Sequence, residues 1–248
     1  MDSQALKAAK LQFMQITGTK DSTAAKYLKA SNFKVAEAID LYFRAHPKDK
    51  KVSAPTVSPK SIENIFETYK DPQEDAILIE GMERYCNDLE VDPTDISMLI
   101  LAMHLGAEQM CEFKRAGFCE GWLEMGCDTI EKMKVKMATF KTELDTPATF
   151  KKIYQFAFKF GLSPNQRTLG LDVACGLWEL LLPGKFPLLP KWLTYMQEEN
   201  KKAVSRDTWN VLLDFMNTID SDFSNYDPSG AWPLVYDEFV EYVKRTSS

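Results

Sequence analysis

Eight carboxylates stand between Asp207 and Glu241, a stretch of the chain that contains no lysine or arginine. They are Asp207, Asp214, Asp220, Asp222, Asp227, Asp237, Glu238 and Glu241, and aromatic residues recur among them. The formal charge of this stretch, −8, exceeds the −6 of the whole chain, so the remaining residues carry about +2. An acidic region with enough apolar mass to fold can bind a basic peptide or domain, and it repels nucleic acid. A solvated acidic helix face is the simpler interpretation of the charge alone.

Residues that could perform catalysis are few. The chain has two histidines, His46 beside a segment rich in proline and lysine and His104 within an apolar run, both positions typical of surface or hydrogen-bonded core residues. The sequence contains no nucleophile elbow, phosphate-binding loop, dinucleotide fingerprint or zinc motif. The sequence therefore predicts that the protein is not an enzyme.

The five cysteines show no CxxC pair, which favours reduced, mostly buried thiols. They are Cys86, Cys111, Cys119, Cys127 and Cys175. Cys111, Cys119 and Cys127 are evenly spaced, but we expect helix breaks at Gly117 and Gly126 to separate them. We interpret them as core thiols and keep Cys111 as a candidate reactive thiol.

A calcium loop is the metal site that paired helices would most readily form. With Asp71 at the first loop position, Ala76 falls where the turn requires glycine, and Met82 falls where a bidentate glutamate should lie. Residues 220–230 include several acids without consistent ligand spacing. The sequence therefore predicts no metal site and no cofactor.

The elements that position all these residues are predicted to be helices. Residues 1–46 indicate a module of three short helices, over residues 5–17, from Asp21 and from near Phe33. Residues 47–60 contain three prolines and four lysines, which is typical of a linker. Residues 61–246 form a second domain of helices joined by short connections. The predicted helices there span 61–69, 80–89, 95–105, 114–125, 127–144, 147–160, 168–182, 185–199, 207–219 and 233–244. The predicted class is all-α.

Sequence features also bear on location. No apolar run approaches the roughly 20 residues that span a bilayer. The residues that follow Met1 lack the basic-then-apolar design of a secretion signal. Together with the unpaired cysteines, these features favour a cytoplasmic and nuclear protein without membrane contact.

Several long motifs resemble the defective-in-cullin-neddylation family. The most specific are Asp207-Thr208-Trp209-Asn210 and Gly230-Ala231-Trp232-Pro233. The similar segments are residues 69–73, 111–113, 124–132, 154–158, 205–215 and 225–241. The resemblance covers roughly residues 60 to 245 and implies a potentiating-neddylation domain, all-helical and built on degenerate EF-hand-like pairs.

The resemblance implies a non-catalytic scaffold for cullin neddylation. Such a protein binds the cullin C-terminal domain, with its RING subunit, and a charged conjugating enzyme, so that a ubiquitin-like modifier passes to a cullin lysine. The family's cullin-facing acidic patch corresponds to Asp207, Ala231 and Asp237. Glu241 lies four residues after Asp237 on the same predicted helix face and extends the patch. Asp207 would also stabilise the N-terminus of its own helix, and the two roles are compatible.

The family's second site is an apolar pocket for the acetylated N-terminal methionine of the conjugating enzyme. From the sequence alone, its residues have the pattern of ordinary core positions. By position the pocket corresponds to Ile79, Met82, Met98, Leu101, Ala102, Leu105, Cys111, Phe113, Phe160, Leu177 and Leu180. A neutral acetylated terminus suits such a pocket, whereas a charged amine would lose its hydration there.

Residues 1–46 resemble a ubiquitin-associated domain. The family's usual Met-Gly-Phe/Tyr loop is replaced here by Thr17-Gly18-Thr19-Lys20, so ubiquitin is a conditional partner. The alternative function is therefore a ubiquitin-binding adaptor that acts mainly through this module.

Overall fold

The computed structural model describes residues 6, 9, 10, 13, 14, 17–46 and 57–246. The chain divides into two compact units, with the boundary between Val57 and Ser58. Within the described residues, the only strands are two of two residues each, and helices dominate both units. The predicted all-α class is therefore confirmed.

The first unit is a small helical module. Its helices include α1 (Asp21–Ala30) and α2 (Val35–Ala45), and the described residues from Leu6 to Thr17 are also helical. Their apolar faces meet in one core made of Ala9, Phe13, Ala24, Leu28, Ala38 and Tyr42. Helix α1 begins at the predicted residue, whereas α2 begins later than Phe33, because Phe33 itself has a φ of 62° that a helix cannot accommodate. Residues 47–56 of the predicted linker lie outside the described residues.

The first half of the second unit consists of two helix–strand–helix segments. They are α3 (Pro59–Tyr69), β1 (Ala76–Ile77) and α4 (Ile79–Leu89), then α5 (Ile96–His104), β2 (Phe113–Lys114) and α6 (Arg115–Glu124). The two strands pair antiparallel, with Ile77 opposite Phe113, and so join the two segments. The EF-hand-like character implied by the resemblance stays a prediction. The described residues contain no group of three or more His, Cys, Asp or Glu side chains that could hold a metal ion.

Helix α3 begins at Pro59, two residues before the predicted start. The Ser58 hydroxyl accepts a hydrogen bond from the Ser61 amide at 3.2 Å, which caps the helix. Pro59 fits the first turn because no intrahelical partner is needed for an N–H group there.

Two glycines set the packing of α6 against α5. A Cβ atom on Gly117 would lie 2.2 Å from the Leu105 carbonyl oxygen, and one on Gly121 would lie 2.7 Å from the Leu105 Cδ2 atom. The prediction that Gly117 breaks a helix is wrong, because α6 runs through it and uses its missing side chain for close approach. Gly126, with a φ of 76°, lies after α6 as predicted.

The second half of this unit completes the helical domain. Its elements are α7 (Ile130–Thr139), a 3₁₀ segment (Phe140–Asp145), α8 (Pro147–Phe160), α9 (Leu171–Leu181), α10 (Leu189–Tyr195) with a π turn (Met196–Asn200), α11 (Arg206–Thr218) and α12 (Leu234–Thr246). The helix predicted over 127–144 starts later because the Thr129 hydroxyl caps it through the Lys132 amide. Among the described helices, none combines the length and apolarity that crossing a bilayer requires.

The aromatic residues of the acidic stretch lie inside this unit. Trp209, Phe215, Tyr236 and Phe239 are essentially inaccessible to solvent. Trp209 stacks on Trp178 with ring centroids 5.2 Å apart. The Trp178 Nε1 donates to the Tyr154 hydroxyl, and that hydroxyl donates to the Trp209 carbonyl oxygen, both at 2.9 Å. The acidic segment therefore supplies the core beneath its own surface.

The histidines have structural partners, as predicted. His104 Nε2 lies 3.0 Å from a Glu143 carboxylate oxygen, and its ring stacks on Phe140.

Cys86, Cys127 and Cys175 are buried, and burial raises the pKa of the Cys86 thiol to about 11. Cys111, however, is exposed, which corrects its interpretation as a core thiol.

Candidate functional site

The acids Asp207 and Asp237 lie on two helices that meet directly. The Tyr236 hydroxyl, on α12, donates to the Thr208 carbonyl oxygen in the first turn of α11 at 2.6 Å. Thr208 follows Asp207 and Tyr236 precedes Asp237, so one part-buried hydrogen bond links the helix segments that carry these two acids. Burial raises the pKa of Tyr236, and the nearby Asp207 and Asp214 charges raise it further. Asp207 is exposed and Asp237 half-buried.

A tyrosine orients the Asp237 carboxylate. The Tyr226 hydroxyl donates to Asp237 Oδ1. Burial raises the pKa of Tyr226, and this hydrogen bond and the charges of Asp237 and Glu241 raise it further. Glu241 is thus close enough to share an electrostatic environment with Asp237, as expected for residues one helical turn apart.

Ala231 lies at the end of a tight turn before α12. The Asp227 carboxylate accepts hydrogen bonds from the Ser229 amide and hydroxyl, both at 2.8 Å, and closes the turn. The next aromatic residue, Trp232, packs edge-on against Phe215 with centroids 5.4 Å apart. Ala231 is therefore exposed on an anchored segment, and its small side chain leaves the surface open to a partner. We call Asp207, Ala231, Asp237 and Glu241 the acidic surface.

The other acids of the stretch have different surroundings. Asp222 accepts a hydrogen bond from the Ser224 amide and, like Asp227, serves a local turn. Asp214 lines a separate cavity together with Lys151 and Lys185. Charge density along the sequence therefore overstates the extent of the acidic surface.

An apolar cavity of about 490 Å³ lies elsewhere in the same unit, between α4, α5, β2, the end of α8 and α9. Most of the residues predicted for the pocket line it. They are Met82, Met98, Ala102, Cys111, Phe113, Phe160, Leu177 and Leu180. Cys111 has a φ of 61° and lies with Met110 in the loop before β2, at the cavity wall.

Three predicted pocket residues lie outside this lining. Ile79 is the first residue of α4, and 59% of its surface is exposed. Leu101 and Leu105 are buried, and Leu105 packs against Gly121 of α6. Residues four apart share a helix face. Leu101 and Leu105 therefore share one face, and Met98 and Ala102 share the neighbouring face. Leu105 therefore belongs to the contact between α5 and α6, and Leu101 belongs to the core.

Sequence reasoning missed the polar rim of the cavity. The additional lining residues are Pro93, Thr94, Asp95, Leu99, Met110, Gly176 and Glu179. Asp95 caps α5 through the Ser97 amide at 2.8 Å and pairs with Lys141 at 2.8 Å. Partial burial acts to raise the pKa of Asp95, but these hydrogen bonds outweigh it, and the pKa lies below its usual range. The helix predicted over residues 95–105 begins with Asp95, but the sequence did not show that this residue lies beside the cavity.

The fold and these two regions define an all-helical domain with an acidic surface and an apolar cavity. A family model described as "Cullin binding" matches residues 132–242, and one described as "UBA-like domain" matches residues 10–49. DCN1-like protein 3 of Xenopus laevis is 40% identical over 232 residues, which cover 92% of this chain and 74% of that protein.

Two further relatives show the same relationship. DCN1-like protein 3 of Homo sapiens is 40% identical over 200 residues, which cover 79% of this chain and 66% of that protein. DCN1-like protein 3 of Drosophila melanogaster is 40% identical over 192 residues, which cover 76% of this chain and 57% of that protein. The chain belongs to the DCN1-like protein family, and the alignments leave a third or more of the human and fly proteins uncovered.

Proposed function

We propose that this protein is a scaffold that promotes cullin neddylation. It would hold a cullin, with its RING subunit, next to a charged conjugating enzyme, while the conjugating enzyme performs the transfer to a cullin lysine. Holding two reactants in a productive orientation lowers the barrier of a transfer reaction by several kcal/mol without a catalytic residue. The observation that carries the proposal is the acidic surface, which lies within the residues matched by the cullin-binding family model.

The acidic surface would bind a basic face of the cullin C-terminal domain. Its carboxylates lie over a closely packed aromatic core, so their positions are fixed before a partner arrives. Charges held in this way increase the rate of association with an oppositely charged partner and fix its orientation.

The cavity would bind the acetylated N-terminal methionine of the conjugating enzyme. Its lining includes Met82, Met98, Phe113 and Leu177, and polar groups stand at its rim. The Asp95 carboxylate is already engaged by Ser97 and Lys141. An acetylated terminus enters such a cavity without burying a charge, whereas a free ammonium group would lose its hydration.

The proposed function is tested first by titrating a cullin C-terminal domain with the wild-type chain and with Asp207→Ala/Asp237→Ala. We expect the double variant to lose binding by at least about tenfold, since charge-assisted contacts are each worth about 1.5–3 kcal/mol. It should also lose stimulation in a reconstituted neddylation assay. The matched control is Asp214→Ala/Asp220→Ala, which removes the same charge from the same stretch. Equal losses in both variants, or in neither, would exclude a role specific to the acidic surface.

The cavity is tested separately with two synthetic peptides that share the N-terminal sequence of the conjugating enzyme. One carries an acetylated methionine and the other a free amine. We expect the acetylated peptide to bind at least about tenfold more tightly, since burying an unpaired charge costs several kcal/mol. Equal affinities would contradict the proposed role of the cavity.

A second candidate function rests on the UBA-like match over residues 10–49. We propose that the first unit binds ubiquitin weakly. Before α1, the Thr17 hydroxyl is engaged in local hydrogen bonds. It donates to the Phe13 carbonyl oxygen at 2.7 Å and lies 2.9 Å from the Thr19 hydroxyl. An NMR titration with ubiquitin tests this, and an absence of shifts at millimolar ubiquitin would exclude it.

A further inference from the structure

Leu234 is an exposed apolar residue beside the acidic surface. It lies at the start of α12, with 69% of its surface accessible to solvent. Single exposed leucines are common on protein surfaces, so exposure alone indicates no function. Leu234, however, also borders a cavity of about 160 Å³. The cavity lining is Met196, Asn200, Lys202, Ala203, Val204, Ser205, Thr208, Leu234, Val235 and Glu238.

The walls of this cavity are adjacent in sequence to two acids of the acidic surface, Asp207 and Asp237. Ser205 and Thr208 flank Asp207 at the start of α11. Leu234 and Val235 precede Asp237, and Leu234 is three residues from it, on the neighbouring turn of α12. The Tyr236–Thr208 hydrogen bond holds the two walls together. A partner that contacts both carboxylates therefore passes over this cavity.

Half of the residues that line the cavity are apolar. Met196 and Val204 are each 1% exposed, and Ala203, Val235 and Leu234 add apolar surface. A cavity of roughly 150 Å³ lined by apolar groups accommodates one small apolar group. Its size therefore matches a single aliphatic side chain.

The polar residue Glu238 connects this cavity to more negative charge. It accepts a hydrogen bond from the Tyr195 hydroxyl at 3.0 Å. Glu238 and Glu241 also line a neighbouring cavity of about 310 Å³. Leu234 and Val235 thus line the same cavity as Glu238, and Lys202 lines both cavities. A basic segment with an aliphatic residue within it matches this combination of apolar side chains and carboxylates.

We propose that Leu234 and this cavity bind an aliphatic side chain of the basic partner that docks on the acidic surface. The proposal rests on the proposed function, in which that partner is the cullin. The carboxylates attract any basic segment, whereas the cavity selects a segment with an aliphatic residue at the right position. Leu234 is therefore a specificity-determining residue of the acidic surface.

The test is a titration of the cullin C-terminal domain with Leu234→Ser. We expect affinity to fall about tenfold, the scale set by losing the burial of most of one leucine side chain. The dependence of affinity on salt should stay that of the wild type, because no charge changes. The matched control is Val135→Ser, since Val135 is 70% exposed on α7 and lines a different cavity. The thermal unfolding midpoints of both variants should equal that of the wild type, because neither side chain is buried.

The outcomes separate this proposal from the one on which it depends. A loss with Leu234→Ser but not with Val135→Ser supports the apolar contact. Unchanged binding by Leu234→Ser, while Asp207→Ala/Asp237→Ala loses binding, overturns the apolar contact and leaves the proposed function standing. Unchanged binding by all three variants overturns both.

Discussion

The acidic surface and the large apolar cavity lie in one unit but present opposite kinds of chemistry. The acidic surface is charged, with exposed or half-buried carboxylates supported by buried aromatic rings. The cavity is concave and apolar, and its walls come from helices and a strand that are distant in sequence. Charge acts over a distance and is screened by salt, whereas apolar contact acts only where surfaces touch. If the proposed function is correct, the two partners would therefore be bound by physically different mechanisms, and each mechanism could be changed without the other.

The largest expected effect comes from filling the cavity. Gly176 lies on α9 in the cavity lining, and a Cβ atom there meets nothing within 4 Å. We expect Gly176→Phe to weaken binding of the acetylated peptide about a hundredfold, because the loss of a buried methionine contact is worth about 1.5–3 kcal/mol and steric exclusion adds to it. Isothermal titration calorimetry measures this, with Gly176→Ala as the control that leaves the cavity open. If cullin binding also fell, the two regions would not be independent.

The second-largest expected effect comes from the buried hydrogen bonds of Tyr154, which lie beneath the acidic surface. Tyr154→Phe leaves the buried Trp178 Nε1 and the Trp209 carbonyl oxygen without their hydrogen-bond partner. We expect the free energy of unfolding to fall by about 2 kcal/mol, measured by urea denaturation. The control is Tyr242→Phe. Tyr242 is half-buried on α12, and we expect this variant to change the free energy of unfolding much less. A loss of the same size in both would mean that the buried network contributes nothing specific.

Salt distinguishes the two binding modes directly. We expect cullin affinity to fall about tenfold when salt rises from about 50 to 500 mM, because exposed charges are screened over a few ångströms at high salt. Binding of the acetylated peptide should change less than about twofold, since apolar contact is not screened. Parallel titrations at four salt concentrations measure both slopes. Equal slopes would contradict the distinction between the two regions.

The smallest expected effect comes from removing the hydrogen bond that orients the Asp237 carboxylate. Tyr226→Phe removes the hydrogen bond to Asp237 without changing charge. We expect about a threefold loss of cullin affinity, in line with a net hydrogen-bond contribution of about 0.5–1.5 kcal/mol. Tyr69→Phe is the matched control, because it removes the same kind of bond from Asp88, which lies outside the acidic surface. Tighter binding by Tyr226→Phe would show that the tyrosine competes with the partner for Asp237.

The sequence predicted those helices whose ends are marked by residues such as proline and glycine. Helix α8 was predicted to the residue because Pro147 starts it and Gly161 follows it. The two-residue strands were not predicted, because two residues show no period. In α5 the pocket residues could not be separated from their neighbours, since every residue from Ser97 to Ala102 is buried and the helix has no polar face to set its phase.

The residues of the acidic surface were chosen from sequence motifs, and their role in binding stays a prediction. The extent of the surface could not be determined from the sequence. Asp207, Ala231, Asp237 and Glu241 lie where α11, α12 and the turn before α12 place them around one junction. Asp214 and Asp222 have the same charge in the sequence but different surroundings. Whether a carboxylate faces a partner depends on packing between helices, which a one-dimensional pattern does not contain.

The hydrogen bond between Tyr236 and Thr208 has a consequence for the dynamics of the acidic surface. Segments packed on a protein core open only when much of the domain unfolds, so their hydrogen-bonded backbone amides exchange with deuterium slowly. The interior amides of α11 and α12 should therefore be among the most protected of the described residues, whereas first-turn amides lack an intrahelical acceptor and exchange faster. A surface that is this rigid loses little conformational entropy when it binds, and association there resembles the docking of two preformed bodies.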